Sequence, residues 1–143
     1  MIGKEGGINY KLLIAGSRSS NLPMEQYAHF CVDHARTHGW HIIVGDCPKG
    51  VDKHVVDRAN EIGYSNITVM GIAKNPRNGG VKEGQYVKTG RSYTDRDQAM
   101  VDAIDHGRCM YIWDGKSPGT KKGADYARSL DKNLTLFDFS STF

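Results

Sequence analysis

YKLLIAGSRSS, residues Tyr10 to Ser20, decides the fold: an apolar strand runs into a glycine and opens into a short polar turn. The pattern returns in HIIVGDCPKGVD, His41 to Asp52, and a third apolar run, NITVM, spans Asn66 to Met70. Cys109 to Trp113 and Leu134 to Phe139 read as two further strands. Between them lie helical segments. The first places Tyr27, Phe30, Cys31 and Ala35 on one face, and the second repeats Val51, Val55, Ala59 and Ile62 at helical spacing. Thr94 to His106 turns Ala99, Met100, Ala103 and Ile104 inward with Thr94 as its N-cap, and Lys121 to Lys132 forms a fourth helix. Apolar strands alternating with helices predict a parallel sheet covered on both faces. The expectation is an α/β chain, a single Rossmann-like three-layer α/β/α domain over residues 1–143 with about five parallel strands. An α+β fold with antiparallel edges is the alternative.

The chain has 143 residues, 38% of them hydrophobic and 24% charged, which excludes a disordered tail, a coiled coil and a disulfide scaffold. No apolar run reaches the roughly 18 residues of a membrane span, and Met1 to Asn9 lacks a leader core, so no membrane partner is expected. Three cysteines, Cys31, Cys47 and Cys109, form no CxxC pair and fit a reducing, cytoplasmic compartment.

The formal charge of +3 is small, which disfavours nucleic acid as a partner. Its distribution is uneven. Residues 73–92 carry Lys74, Arg77, Lys82, Lys88 and Arg91 against Glu83 alone. With four glycines and little apolar periodicity, these 20 residues read as a basic lid or anion clamp that offers Arg91. A plain solvated loop is the alternative.

Ligands of open α/β sheets sit at the carboxyl ends of the strands. Three polar turns fall there: Gly16 to Ser20, Gly45 to Asp52 with Gly45 and Gly50, and Asp114 to Thr120 with Gly115 and Gly119. Exposed N–H groups at a helix start make such turns phosphate cradles. Lys121 and Lys122, read as the first turn of the last helix, sit against its dipole, and a bound anion would reverse that penalty. No GxGxxG, Walker A, HExxH or GxSxG motif is present, and no Cys/His metal spacing; no metal and no cofactor are expected. His29, His34 and His38 read as the solvated side of the first helix, and Cys47 as structural.

Taken together, Gly16-Ser17-Arg18 and Gly45…Gly50-Val51-Asp52 resemble the SLOG superfamily, which joins Lonely Guy phosphoribohydrolases, the DNA-processing protein A domain and small stand-alone relatives. Arg96-Asp97-Gln98-Ala99-Met100 with Asp105 resembles the Arg-Lys-x-x-Met…Asp stretch of Lonely Guy proteins, and Ser117-Pro118-Gly119-Thr120 resembles their phosphate loop. The likeness spans residues 10 to 138. It implies a nucleotide or ADP-ribose-type ribosyl phosphate over the strand ends. Gly16, Ser17 and Arg18 would hold one end of it, and Gly115, Ser117, Gly119 and Thr120 would wrap the phosphate. Arg96 would pair with phosphate or ribose oxygens, or else stay a surface arginine paired with Asp97 or Asp102. The resemblance also implies a homodimer or higher homo-oligomer.

One departure bears on activity. The glutamate that these enzymes carry three residues after the Gly-Thr turn is Gly123 here. N-glycosidic cleavage needs a carboxylate to stabilise an oxocarbenium-like centre or to activate water. Asp52 and Asp114, at two strand mouths, are the candidate catalytic substitutes, and Asp125 could serve only on a rotated helix. Two main readings stay open: a protein that holds a nucleotide-like ligand, and an N-glycosyl hydrolase using an aspartate. Single-strand DNA binding is a third.

Overall fold

The computed structural model describes residues 9–143; the stretch read above for a leader lies, up to residue 8, outside the described residues. Six strands form one parallel sheet: β1 (Lys11–Gly16), β2 (His41–Gly45), β3 (Ile67–Gly71), β4 (Gln85–Lys88), β5 (Gly107–Trp113) and β6 (Leu134–Asp138). Their order across the sheet is β4-β3-β2-β1-β5-β6. Four helices connect them: α1 (Leu22–His38), α2 (Val51–Ile62), α3 (Tyr93–Asp102) and α4 (Pro118–Ser129). The antiparallel alternative is therefore excluded.

Side chains alternate across the sheet, so each strand feeds two cores. Leu12, Ile14, Ile42, Val44, Ile67 and Val69 pack against Met24, Ala28 and Val32 of α1 and Val51, Val55 and Val56 of α2. Leu13, Ile43, Cys109 and Tyr111 face the other way, against Met100 and Val101 of α3 and Ala124 and Ala127 of α4. The sixth strand, β4, lies inside the basic segment and pairs with β3 from Thr68↔Gln85 to Gly71↔Lys88. Much of that segment is thus a coil crossover and an edge strand rather than a free lid.

Helix boundaries shift where capping chemistry decides them. Asn21 caps α1 by accepting the Met24 N–H, and Ser92, not Thr94, caps α3 by accepting from Asp95. Pro118 starts α4, so Lys121 and Lys122 lie a turn inside the helix. Phe30, expected inward, is exposed.

The chain leaves β1 toward β4 on one side, then returns to place β5 on the other side of β1. The loops after β1 and β5 diverge at this switch point and leave a crevice outside the strand ends.

Candidate functional site

A cleft of about 710 Å³ occupies that crevice. It is lined by Gly16 and Arg18 from the β1–α1 turn, Cys47 and Asp52 from the β2–α2 turn, and Arg77 from the crossover. Tyr93, Thr94, Arg96, Asp97, Gln98 and Met100 come from α3, and Ser117, Gly119, Thr120, Lys122, Gly123 and Tyr126 from the α4 side. A smaller hollow of about 230 Å³, beside Tyr10, His41 and Asn66, lies at the opposite end of the strands.

One wall is a buried charge network at the ends of β2 and β3. Asp46 has no solvent-accessible surface. Its carboxylate accepts from Arg96 Nη1 at 2.8 Å, from Arg77 Nη2 at 3.0 Å and from the Arg77 N–H at 3.0 Å. Arg96 turns its other edge to Asp97, with Nη2–Oδ1 at 2.8 Å. The Tyr93 ring lies under both guanidiniums, at 4.1 Å from Arg77 and 5.1 Å from Arg96. Burial by itself would raise the Asp46 carboxyl, but the Arg77 hydrogen bonds and both cations hold it below the usual carboxylate range.

Asp52 is the exception on this wall. Its Oδ2 accepts the Cys47 N–H at 3.1 Å. Burial pushes its carboxyl up to about 6, against the pull of Arg96 and the Cys47 N–H, with Asp97 and Asp46 adding repulsion. Strand-end glycines make room for these acids. A Cβ on Gly45 would meet Asp52 Oδ2 at 2.6 Å, and one on Gly71 would meet Asp46 Oδ2 at the same distance.

The second wall is the β5–α4 turn. Asp114 accepts the Lys116 and Ser117 N–H groups at 2.8 Å and the Ser117 hydroxyl at 2.9 Å. Burial would raise its carboxyl; these donors win and lower it. Asp114 therefore shapes the turn, and it does not line the cleft. The N–H groups of Gly119 and Thr120 fall in the first turn of α4, outside the i→i−4 ladder. Around Gly119 no atom lies within 4 Å of an added Cβ, so this turn is open to the cleft. Ser17 joins the two turns: its Oγ accepts the Asp114 N–H at 3.0 Å and sits 3.5 Å from Thr120 Oγ1.

Of the residues expected from the sequence, Gly16, Arg18, Asp52, Arg96, Ser117, Gly119 and Thr120 line the cleft. Ser17 lies buried behind it. Gly45 supports Asp52 from below. Gly50, at φ +80°, lets the α2 start press against the Ser17 and Arg18 backbone. Gly115 packs on Ser140 and Asp138 instead, and Arg91 is exposed with its N–H on Asp95, so neither lines the cleft. Arg96 is buried among carboxylates rather than presented to solvent. Lys121 pairs with Asp125 at 2.8 Å on the exposed face of α4, and neither of them lines the cleft. A Cβ added at Gly123 would meet the Tyr111 ring at 3.0 Å, so a glutamate there would press on that ring. Sequence reading missed the Asp46–Arg77 pair and Tyr93 as its aromatic platform, whereas Lys122, read with Lys121 as a cation that an anion would favour, does line the cleft. The signal available for Asp46 was its place directly after the β2 glycine.

No family model matches the chain, and no curated protein matches it. Solved structures do. The molybdenum cofactor binding protein of Rippkaea orientalis superposes with a TM-score of 0.72 at 19% identity, covering 94% of this chain and 80% of that one. The molybdenum cofactor carrier protein of Chlamydomonas reinhardtii gives 0.69 at 18% identity, over 90% and 76% of the two chains. DNA processing protein A of Helicobacter pylori, described for its single-stranded DNA binding mode, gives 0.67 at 17% identity, over 89% and 64%. These structures share the α/β Rossmann-like fold of this chain. At these identities the likeness carries the architecture, an α/β Rossmann-like sheet, and the resemblance read from the turns agrees with it. No helix among the described residues is long and apolar enough to cross a membrane.

Proposed function

We propose that the cleft holds an anionic small molecule of the nucleotide or ADP-ribose type without cleaving it. The observation that carries this reading is the wall that the β5–α4 turn makes with the neighbouring β1–α1 turn. Two unladdered amides, Arg18 and Lys122 converge on the cleft, and neither cation forms an ion pair among the described residues. A phosphate needs those groups: fixed N–H donors at a positive helix end with mobile cations above them. The molybdenum cofactor bound by two of the structural neighbours is a ligand of the same anionic class, and the same groups would take its charged end. Gly123 and the internally used Asp114 leave no carboxylate on the α4 side to attack a glycosidic carbon.

A second reading rests on Asp52. A cleft carboxyl pushed up to about 6 is suited to proton transfer near neutral pH, as an N-glycosyl hydrolase requires. Protein incubated with nucleoside monophosphates, NAD and ADP-ribose, then filtered and denatured, separates the two by mass spectrometry. Intact ligand released only on denaturation supports the holder; free base with ribose phosphate in the filtrate, lost in Asp52→Asn, supports the hydrolase. A single-stranded oligonucleotide that competes for the cleft would overturn both.

A homodimer or higher assembly belongs to the same proposal. Tyr27 lies between exposed Phe30, stacked on it at 5.9 Å, and Phe137, edge-on at 4.9 Å between ring centroids, forming an apolar patch on α1 and the β6 edge. Light scattering at micromolar concentration would return the monomer mass if that is wrong. A reducing, cytoplasmic setting is proposed from the three buried, unpaired thiols.

A further inference from the structure

Helices α1 and α2 face each other across two rungs. In the first, Arg58 clasps Asp33 with both prongs, Nε–Oδ1 at 2.8 Å and Nη2–Oδ2 at 2.9 Å, and fixes the register of the pair. The second lies one helical turn toward the cleft, four residues earlier on both helices from His29 and His54, with Glu25 a further turn up α1. Here the rung does not close. Glu25 Oε2 stands 4.0 Å from His29 Nε2 and 4.0 Å from His54 Nδ1, beyond hydrogen-bond reach. All three donor atoms lie within 4.8 Å of one another.

We infer that Glu25, His29 and His54 form a binding site for a divalent transition-metal ion of zinc-like chemistry. Tetrahedral ligation at about 2.0–2.1 Å sets donor atoms about 3.4 Å apart, so each pair here closes by a rotamer adjustment of an ångström or so. Two imidazoles and a carboxylate suit such an ion, and an open fourth position falls toward solvent, since all three side chains are partly exposed.

A second contact supports the site. Ser20 Oγ lies 2.8 Å from His54 Nε2. With that nitrogen as donor to the hydroxyl, the Nδ1 lone pair points at Glu25, the arrangement that orients a metal-binding histidine through its far nitrogen. The other two α1 histidines have different company: His34 and His38 pack on Trp40.

The test is titration of the chelator-treated full chain with Zn²⁺ and Co²⁺, followed by calorimetry and the cobalt spectrum. One ion per chain is expected, with no thiolate band from the cysteines. His54→Ala and Glu25→Gln should each weaken binding at least tenfold, Ser20→Ala about tenfold through lost orientation, and His38→Ala not at all. Nitrogen NMR of the unaltered protein covers variants that fail to fold: Zn²⁺ should move the His29 and His54 ring resonances and leave His34 and His38 in place. Equal affinity in His54→Ala, a cobalt–thiolate band, or shifts confined to His34 and His38 would overturn the assignment. None of these readouts depends on what occupies the cleft.

Discussion

On the β2–β3 side of the cleft, Asp46, Asp97, Arg77 and Arg96 are matched to one another, with Asp46 wholly out of water and Arg96 mostly buried; on the side of the β1–α1 and β5–α4 turns, Arg18, Lys122 and two backbone amides face the opening unmatched. Both walls carry positive charge, but only one has it to spare. An anion entering the first wall would have to displace a carboxylate already bound at 2.8 Å. An anion at the second displaces only water. Cation count in a cleft is therefore a poor guide to its ligand; the unspent fraction is the useful quantity. The matched wall holds shape, and the unmatched wall is where a ligand's charge belongs.

The comparison breaks most sharply at Asp46. Asp46→Ala leaves the buried Arg96 and the partly exposed Arg77 without their shared partner, and a loss of about 3 kcal/mol is expected in urea denaturation. A loss below about 1 kcal/mol would mean that the network is wetter than described. Asp52→Asn tests the same wall with the opposite sign. Because the folded carboxyl titrates near 6 and an unfolded one near 3.9, native protein binds the extra proton between those values. Asp52 thus makes stability fall as pH rises from about 4 to 6, and the penalty is fully present above 6. The variant should lose that slope and gain roughly 1–3 kcal/mol at pH 7. Identical pH profiles for the two proteins would place the Asp52 carboxyl in its ordinary range.

The open wall should respond in affinity rather than stability. Arg18→Ala and Lys122→Ala are each expected to weaken ADP-ribose or nucleotide binding about tenfold, the worth of a charge-assisted contact of roughly 1.5 kcal/mol. Their melting temperatures should match the parent's, and a large drop in melting would show these cations to be structural after all. The smallest effect belongs to Gly119→Ala. Nothing lies within 4 Å of the added methyl, so replacing glycine in the helix should add about 0.5–1 kcal/mol of stability while the methyl crowds the amides and lowers affinity. Unchanged affinity would move the anion away from the α4 start.

Much of the fold was legible because buried parallel strands must be apolar, and helices covering them must carry a stripe. β4 escaped for the same reason. Gln85-Tyr86-Val87-Lys88 sits at the sheet edge with only Tyr86 partly buried, so nothing forces an apolar run. In the cleft, the glycine turns announced themselves through local backbone needs. Asp46 and Arg77 did not, since 31 residues separate them and only the tertiary crossover brings them together. Arg91 and Gly115 are of the right residue type in the right neighbourhood, yet Arg91 stands exposed outside the cleft and Gly115 packs on Ser140.

The crossover between β3 and β4 has one more consequence. It carries Lys74, Arg77 and Lys82, each a point of attack for trypsin, and it is tied down unevenly. Arg77 is held by backbone and side chain to Asp46, and Asn78 and Gly80 are bonded back to Lys53 and Asn60 of α2, while Lys74 stands exposed. Scission should begin after Lys74 and spare Arg77 for as long as the Asp46 network holds. The rate of that second cut reads out the integrity of the matched wall without any added probe.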